Sequence, residues 1–141
     1  MKTDSDLGTG TGEPSFVPGV TRAVQVAVDT GGCARLSNGR VVCWGNPTEP
    51  AQQVPSLKDA TFIAAEAGRR CAVRRNGQVV CWNFHEPEPA PVPGLSDAIR
   101  IDVGSPFACA VDSNGQVRCW GKNIDGHLEN RPGPLLGINV P

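Results

Sequence analysis

The sequence predicts an all-β protein made of β-propeller blades, in the form of three four-stranded antiparallel repeats of about 38 residues. The six cysteines form three pairs with the same internal spacing, and each pair recurs 38 residues after the previous one. An Asn-Gly dipeptide lies inside each pair, and a tryptophan follows each second cysteine. The positions are Cys33/Cys43 with Trp44, Cys71/Cys81 with Trp82, and Cys109/Cys119 with Trp120.

The composition favours short strands over helices. Glycine and proline account for 17 and 13 of the 141 residues, whereas tyrosine is absent. Such a composition is typical of many strands joined by turns. Residues 60–70 have a helix-like pattern, but this helix would be short and would end at Gly68. Because the repeat places a strand here, we expect the segment to be extended.

Each unit contains about four short extended segments, which is the content of one propeller blade. In the first unit they are expected at residues 17–20, 24–28, 33–36 and 41–44. We assign residues 1–14 to a flexible leader or linker and residues 15–141 to the repeats. The units are expected at about residues 23–60, 61–98 and 99–136, with additional edge strands.

The Asn-Gly dipeptides predict β-hairpins, since this pair between two extended runs is a strong hairpin signal. With a three-residue loop at Ser37-Asn38-Gly39, Cys33 lies directly opposite Cys43. Opposed side chains have Cβ atoms about 4.5–5.5 Å apart, close to the separation that a disulfide requires. The same count applies to the other two pairs, so we expect three hairpin disulfides.

Three other states of the cysteines compete with this prediction. Zinc sites usually take ligands about two to four residues apart, and no such cysteine pair occurs here. A redox Cys-x-x-Cys motif is also absent, whereas six reduced, buried thiols are a simple alternative. Disulfides require an oxidising compartment, so they predict an extracellular, cell-surface or periplasmic protein.

Strand alternation assigns the side chains of each hairpin to two faces. One face carries both cysteines, and the other carries the tryptophan. Because tryptophan is large enough to bridge neighbouring sheets, we expect Trp44, Trp82 and Trp120 to pack between blades. A ring of ligand-binding aromatic residues is the alternative interpretation.

Charge and motif content argue against several classes of function. The formal net charge of −1 does not favour nucleic acid or an anionic membrane as a partner. No apolar run approaches the ~20 residues of a membrane-spanning helix. The familiar nucleophile, zinc-protease and phosphate-loop motifs are missing. We therefore expect a protein that is not an enzyme and binds no cofactor or metal.

Two loops are candidates for contact with a partner protein. Phe84 and His85 lie in a proline-rich, acidic connection, where an exposed aromatic residue would suit recognition. A stiff, exposed linker without a binding role is the simpler interpretation of that connection. Asn123, Asp125 and His127 form the second candidate loop, which has too few oxygen ligands to support a calcium site.

The stretch CAVDSNGQVRCWGKNIDGHL, residues 109–128, and its weaker copies resemble the regulator-of-chromosome-condensation (RCC1-like) repeat. The resemblance is strongest to the cysteine-paired form found in bacterial secreted and surface proteins. The family motif reads roughly Cys-Ala-Leu, a turn with glycine, Val-x-Cys-Trp-Gly and Asn-x-x-Gly-Gln-Leu-Gly. The third unit matches it, with His127 in place of glutamine and Glu129 in place of the last glycine. The first two units lack the final part, and Asn83 replaces glycine after Trp82.

The resemblance implies a propeller whose loops grip another protein. Members of the family include nucleotide-exchange factors for small GTPases, an inhibitor of secreted β-lactamases, and surface proteins. We therefore predict a secreted or surface-displayed module that binds an unidentified protein. The alternatives are a lectin-like or small-ligand-binding propeller and a guanine-nucleotide-exchange-factor-like regulator. No exchange-factor residue can be transferred to this sequence.

Three units do not close a ring, since propellers have about four to eight blades. An open array would expose the apolar faces of its terminal blades to water. The chain is either part of a larger propeller or completes a ring by self-association. We favour self-association, because residues 15–20 and 133–141 are suited to complement each other across a subunit boundary.

Overall fold

The computed structural model describes residues 13–104 and 106–121, which fold as strands and turns without a helix. The strands consist mainly of β-branched and other apolar residues, and glycine, proline and asparagine separate them. In chain order they are β1 (Ala23–Val28), β2 (Gly32–Leu36), β3 (Val41–Trp44), β4 (Gln52–Gln53), β5 (Ala60–Glu66), β6 (Arg69–Arg74), β7 (Val79–Trp82), β8 (Ala90–Pro91), β9 (Ala98–Val103), β10 (Phe107–Asp112) and β11 (Val117–Gly121).

The strands form three antiparallel sheets, which we call units 1, 2 and 3. Units 1 and 2 have the strand orders β1-β2-β3-β4 and β5-β6-β7-β8, and the described part of unit 3 has the order β9-β10-β11. The first strand of each sheet lies against the first strand of the next. This is the arrangement of propeller blades around an axis, and it confirms the predicted fold class.

Two details of the predicted strands differ from the structure. The strand expected at residues 17–20 is wrong, because Pro18 has no N–H to donate and Gly19 has a φ of 85°, so a turn forms there. The fourth strand of unit 1 is β4 instead. Residues 60–70 are extended as expected, but Ala67 (φ 53°) and Gly68 (φ 87°) make a turn that divides them into β5 and β6.

The hairpin register is the predicted one, and each cysteine lies opposite its mate. The Cα atoms are 4.0 Å apart in the first two pairs and 3.9 Å apart in the third, and the sulfur atoms of each pair are at bonding distance. The turn glycines have φ values of 89° (Gly39), 86° (Gly77) and 83° (Gly115). This left-handed conformation is the one that a three-residue hairpin loop requires.

Neighbouring units pack face to face, with the cysteine-bearing face of one against the tryptophan-bearing face of the next. We call these the cysteine face and the tryptophan face. The linker between the units fills the outer part of each core. The first core contains Cys33, Val41 and Cys43 of unit 1, Val54 and Leu57 of the linker, and Ala60, Ile63, Ala72, Val80 and Trp82 of unit 2.

The second core repeats this arrangement between units 2 and 3. It contains Cys71, Val73 and Val79, then Val92, Leu95 and Ala98, and then Ile101, Val103, Ala108, Ala110 and Trp120. Trp82 and Trp120 are therefore packed between blades, as predicted, and are only 6% and 7% exposed. Each unit depends on its neighbour for much of its core, which is typical of repeat proteins.

The outer faces of the array expose apolar side chains to water, as expected for terminal blades. On the cysteine face of unit 3, Val117 is 58% exposed, whereas Cys119 on the same face is only 8% exposed. On the outer face of unit 1, Val26 and Val28 are 61% and 68% exposed.

Candidate functional site

Antiparallel order gives every unit two distinct ends. One end, which we call the loop end, carries the β1–β2 and β5–β6 turns and the longer β3–β4 and β7–β8 connections. The opposite end, the turn end, carries the Asn-Gly turns and the linkers between units. Phe84 and His85 both lie in the β7–β8 connection and are exposed, so the structure places this candidate pair at the loop end.

The aromatic ring of Phe84 is held in place by its neighbours although the side chain is half exposed. Its ring lies over the guanidinium group of Arg70, whose Cζ is 4.2 Å from the ring centroid. Stacking of this kind orients an aromatic ring through cation–π attraction. The backbone beside it is held by Asn83, whose Oδ1 accepts hydrogen bonds from the N–H groups of His85 and Glu86, both at 2.8 Å. Phe84 is therefore presented to solvent in a defined orientation.

The guanidinium below Phe84 belongs to a buried ion pair that joins units 1 and 2. Arg70 Nε donates to Asp29 Oδ2 and Arg70 Nη2 donates to Asp29 Oδ1, both at 3.1 Å. The N–H of Gly31 donates to Oδ1 at 2.8 Å, and the N–H of Gly68 donates to Oδ2 at 3.0 Å. The side chains of Arg70 and Asp29 are 3% and 0% exposed. The two-pronged contact matches the fork of arginine to the carboxylate.

The environment of Asp29 keeps this carboxyl group ionised. Burial alone would raise the pKa of Asp29, but the hydrogen bonds from Arg70, Gly31 and Gly68 and the positive charge of Arg70 outweigh it. The pKa therefore lies below its ordinary value of 3.8. The pair remains charged at neutral pH and holds the β1–β2 turn of unit 1 against unit 2.

A second contact fixes the same two units near the axis. Gln25 Nε2 donates to the carbonyl oxygen of Ile63 at 3.0 Å, and Gln25 Oε1 accepts from the N–H of Ile63 at 3.1 Å. Arg35 Nε donates to the same Oε1 at 2.9 Å. An amide side chain thus forms two hydrogen bonds to the backbone of the neighbouring first strand. Together with the Asp29–Arg70 pair, it makes the base of the loop end between units 1 and 2 rigid.

Grooves run between consecutive units at the loop end. The groove between units 1 and 2 has a volume of about 260 Å³, and its walls include Trp44, Pro50, Phe84 and Pro87. The groove between units 2 and 3 has a volume of about 390 Å³ and contains the charged residues Arg69, Glu86 and Glu88. The first is lined by aromatic rings and prolines, which is the kind of surface that suits protein recognition.

The candidate binding residues of the sequence are only partly brought together. Phe84 and His85 are adjacent at the loop end, whereas Asn123, Asp125 and His127 lie outside the described residues. The Asp29–Arg70 pair was not predicted. Its signal in the sequence is a departure from the repeat, since Arg70 replaces Gly32 of unit 1 and Ala108 of unit 3.

The six cysteines singled out in the sequence lie inside the hairpins, away from any surface that a partner could reach easily. Two of them are half-buried and the other four are buried. The half-buried ones are Cys81 and Cys109, and the buried ones are Cys33, Cys43, Cys71 and Cys119. Their place in the structure suits a role in holding the hairpins, and not a role in contacting a partner.

Residues 13–104 and 106–121 contain no group of three or more histidine, cysteine, aspartate or glutamate side chains arranged to hold a metal ion. Within the same ranges, no helix has the length and apolar character needed to cross a membrane.

The part of the chain that matches a known family begins where unit 3 begins. The model of the regulator of chromosome condensation (RCC1) repeat matches residues 98–126, which cover unit 3 from the start of β9. This part of the chain, residues 98–126, therefore resembles an RCC1 repeat. Units 1 and 2 have the same hairpin register and the same paired cysteines as the matched RCC1 repeat. No curated protein matches the sequence.

Several solved structures superpose on the chain. Human WBSCR16 matches with a TM-score of 0.65 and 20% identity, over 80% of this chain and 39% of that one. Yeast RCC1 (Prp20), in a complex with Kap60, matches with a TM-score of 0.63 and 20% identity, over 84% and 36% of the two chains. A second structure, of Prp20p from Saccharomyces cerevisiae, matches with a TM-score of 0.64 and 19% identity, over 84% of this chain and 38% of that one.

The resemblance at this level of identity concerns the fold. The chain spans less than two fifths of the length of each of these three matched chains. The comparison therefore supports the propeller fold of the described residues.

Proposed function

We propose that this RCC1-like chain is a secreted or surface-displayed module that binds another protein through its loop end and performs no catalysis. The observation that carries the proposal is the presentation of Phe84, which is 51% exposed and stacked on a buried arginine beside an aromatic and proline-lined groove. Aromatic side chains held in this way are frequent anchors of protein interfaces. The structurally similar protein Prp20 has been solved in a complex with Kap60, and its binding to Gsp1p and histones has been studied, which supports a binding role for the scaffold.

The binding site is tested by comparing captures with variants of the intact chain. Phe84→Ser removes the proposed anchor, and Ile99→Ser is a matched control, because Ile99 is 49% exposed and lies near the start of β9, at the turn end. We expect at least one protein from the extracellular fraction of the source to bind the unchanged chain and Ile99→Ser but not Phe84→Ser. Equal binding to all three chains would contradict a role for Phe84.

The proposed compartment rests on the three cysteine pairs at disulfide distance. Hairpin disulfides of this kind form and persist where the surroundings are oxidising. The direct measurement is a thiol titration of the denatured protein after isolation from its native compartment without reductant. We expect no free thiol from the six cysteines, and six free thiols would overturn the secreted assignment.

We also propose that copies of the chain associate through the two outer faces of the array, with the repeats extending over residues 15–141. The tryptophan face of unit 1 exposes Val26 (61%) and Val28 (68%), and the cysteine face of unit 3 exposes Val117 (58%). Inside the chain, a cysteine face packs against a tryptophan face twice, so these two outer surfaces have complementary chemistry.

Sedimentation velocity over a range of concentrations measures this association. We expect oligomers that dissociate on dilution and that are weakened by Val26→Asp, a change at an exposed position that should leave the monomer folded. The matched control is Phe84→Ser, which changes an exposed residue of the middle unit outside both outer faces and should leave the association unchanged. A folded monomer at every concentration would contradict self-association while leaving the loop-end proposal untouched.

A further inference from the structure

The three Asn-Gly turns have the same backbone but different side-chain contacts. In units 1 and 2 the asparagine amide is held by the turn itself, since Asn38 Oδ1 accepts from the N–H of Arg40 at 3.0 Å and Asn76 Oδ1 accepts from the N–H of Gln78 at 2.9 Å. In unit 3 the corresponding N–H, that of Gln116, donates to Asp112 Oδ1 at 2.9 Å. No described residue forms a hydrogen bond with the Asn114 side chain.

Asp112 accounts for this difference. It also accepts from the N–H of Asn114 at 2.9 Å, so one carboxylate oxygen binds two N–H groups of the turn. The equivalent positions are Leu36 and Arg74, neither of which has a side-chain acceptor. A short acidic side chain that binds nearby N–H groups is a common local competitor for turn contacts. The Asn114 amide is thereby released.

The linkers pack closely on the turns of units 1 and 2. A Cβ atom on Gly39 would collide with the carbonyl oxygen of Lys58, and one on Gly77 would collide with that of Ser96. The segment equivalent to these linkers after unit 3 lies outside the described residues. The turn glycines of units 1 and 2 are also tied to the next linker, because Ala60 N–H donates to the Gly39 oxygen at 2.9 Å and Ala98 N–H donates to the Gly77 oxygen at 3.0 Å.

We propose that Asn114 is a site of spontaneous covalent modification, in which its side-chain amide is lost in preference to those of Asn38 and Asn76. The main-chain nitrogen of Gly115 attacks Cγ of Asn114 and forms a new C–N bond. The bond from Cγ to the amide nitrogen breaks, and ammonia leaves with the proton of the Gly115 nitrogen. Water then opens the resulting five-membered imide at one of its two carbonyl groups, which yields aspartate or isoaspartate. No oxidant or reductant takes part.

The geometry of Asn114 favours the first step. The nitrogen must approach the side-chain carbon closely, and glycine, lacking Cβ, permits this approach. The amide must also rotate toward that nitrogen. Asn38 and Asn76 must break a hydrogen bond to do so, whereas the Asn114 side chain forms none with a described residue.

The product changes the surface that unit 3 presents. A new carboxylate would stand beside Asp112 and Asp97, of which the latter accepts a hydrogen bond from Ser113 Oγ at 2.7 Å. Isoaspartate would also add an atom to the main chain of the hairpin turn. Since the equivalent turns of units 1 and 2 contact the following linker, the modification alters the edge at which a further blade or a second copy would dock.

Peptide mapping by mass spectrometry of the intact, disulfide-bonded chain tests the proposal, after incubation in mildly alkaline buffer at physiological temperature. We expect Asn114 to convert about fivefold to tenfold faster than Asn38 or Asn76, the factor that corresponds to the net worth of one ordinary hydrogen bond. An Asn114 rate no higher than the other two would overturn the proposal.

The reduced and unfolded chain is the internal control. The three sequences are closely matched, since Asn38 and Asn114 both follow serine, and Asn76 and Asn114 both precede Gly-Gln. We expect the three rates to converge once the fold is lost. If Asn114 kept its full advantage in the unfolded chain, the cause would be the local sequence and the structural proposal would be overturned.

A pair of variants tests the role of Asp112 at constant charge. Both Asp112→Leu and Asp112→Asn remove the carboxylate charge, but only the asparagine keeps an oxygen that can accept from the N–H of Gln116. We expect Asn114 to convert more slowly in Asp112→Leu, because that N–H becomes available to hold the Asn114 amide. Equal rates in the two variants would contradict the release of Asn114 by Asp112.

Discussion

At the scale of single residues, the carboxylate of Asp29 receives four hydrogen bonds, two from Arg70 and one each from the N–H groups of Gly31 and Gly68. Of the three residues that donate these hydrogen bonds, Gly31 belongs to unit 1 with Asp29, whereas Gly68 and Arg70 belong to unit 2. Removing one partner of a buried ion pair leaves the other charge without compensation, which costs far more than the pair contributes by existing. The order of units 1 and 2 is thus reinforced by a contact that no other blade face reproduces in the described part of the chain.

We predict that Asp29→Ala lowers the free energy of unfolding by about 3–5 kcal/mol, because Arg70 is left buried without its partner. The matched control is Asp59→Ala, which removes the partner of Arg74 from a pair in which the arginine and aspartate side chains are 35% and 21% exposed. We expect that change to cost about 1 kcal/mol or less, since water screens an exposed pair. Urea unfolding measures both, and similar losses for the two variants would contradict the special role of Asp29.

The pH dependence of stability follows from the lowered pKa of Asp29. Its contribution is fully present above the unfolded pKa of about 3.9, and is lost as the pH falls through the lower folded pKa. We therefore expect the stability difference between the unchanged chain and Asp29→Asn to be constant near neutral pH and to shrink below about pH 4. Urea midpoints across this range measure it, and a difference that stays constant into strong acid would be inconsistent with an ionised Asp29.

At the scale of elements, each hairpin is fixed by its cysteine pair and by its left-handed turn glycine, and in units 1 and 2 that glycine also packs against the next linker. These two requirements on glycine are separable. The conformational requirement is the same at Gly77 (φ 86°) and Gly115 (φ 83°). Among the described residues, the carbonyl of Ser96 and, at 3.1 Å, the Cα of Asp97 occupy the space of a Cβ atom at Gly77, and no atom does so at Gly115.

We predict that Gly115→Ala costs about 1–2 kcal/mol of stability, the ordinary penalty of a left-handed non-glycine residue. Gly77→Ala should cost about 1–3 kcal/mol more, because its methyl group must displace the linker backbone. Thermal or urea unfolding of the two variants gives the comparison. Equal losses would mean that the Asn-Gly turns do not pack tightly on the linkers.

The local parts of this architecture were accessible from the sequence. A closed three-residue turn and a side-chain period of two determine which residues face each other, so the cysteine pairing could be counted outward from Gly39. The strand expected at residues 17–20 failed for an equally local reason, since Pro18 and Gly19 interrupt an extended path. By contrast, nothing in the repeat indicated that Leu57 and Leu95 of the linkers would complete the cores between units.

At the scale of the whole molecule, the array behaves as a row of blades in which each is stabilised by its neighbours. Unit 2 packs on both sides, and Ala72 and Val79 are completely buried. Unit 1 packs on one described side, and its first strand exposes Val24, Val26 and Val28. Local stability should therefore be highest in the middle of the chain.

We predict a gradient of amide hydrogen exchange at concentrations where the chain is monomeric. The backbone N–H groups of β6 and β7 should exchange slowest, and those of β1 should exchange fastest among the paired strands, because opening an outer strand exposes little new apolar surface. Exchange measured by mass spectrometry at peptide resolution separates these strands. Uniform protection across the three units would show that the array opens only as one cooperative body.

The sequence by itself determined the repeat, the hairpin register and the cysteine pairing, because these depend on neighbours about ten residues apart in one hairpin and on the fixed geometry of strands and turns. Only the tertiary structure decided that Asp29 meets Arg70, 41 residues away, and that Phe84 rests on the same guanidinium. It also decided that the side chain of Asn114, unlike those of Asn38 and Asn76, forms no hydrogen bond with a described residue. Such contacts depend on how two twisted sheets pack against each other. This packing is set by the burial of many side chains from both units, so it cannot be read from the sequence of one repeat.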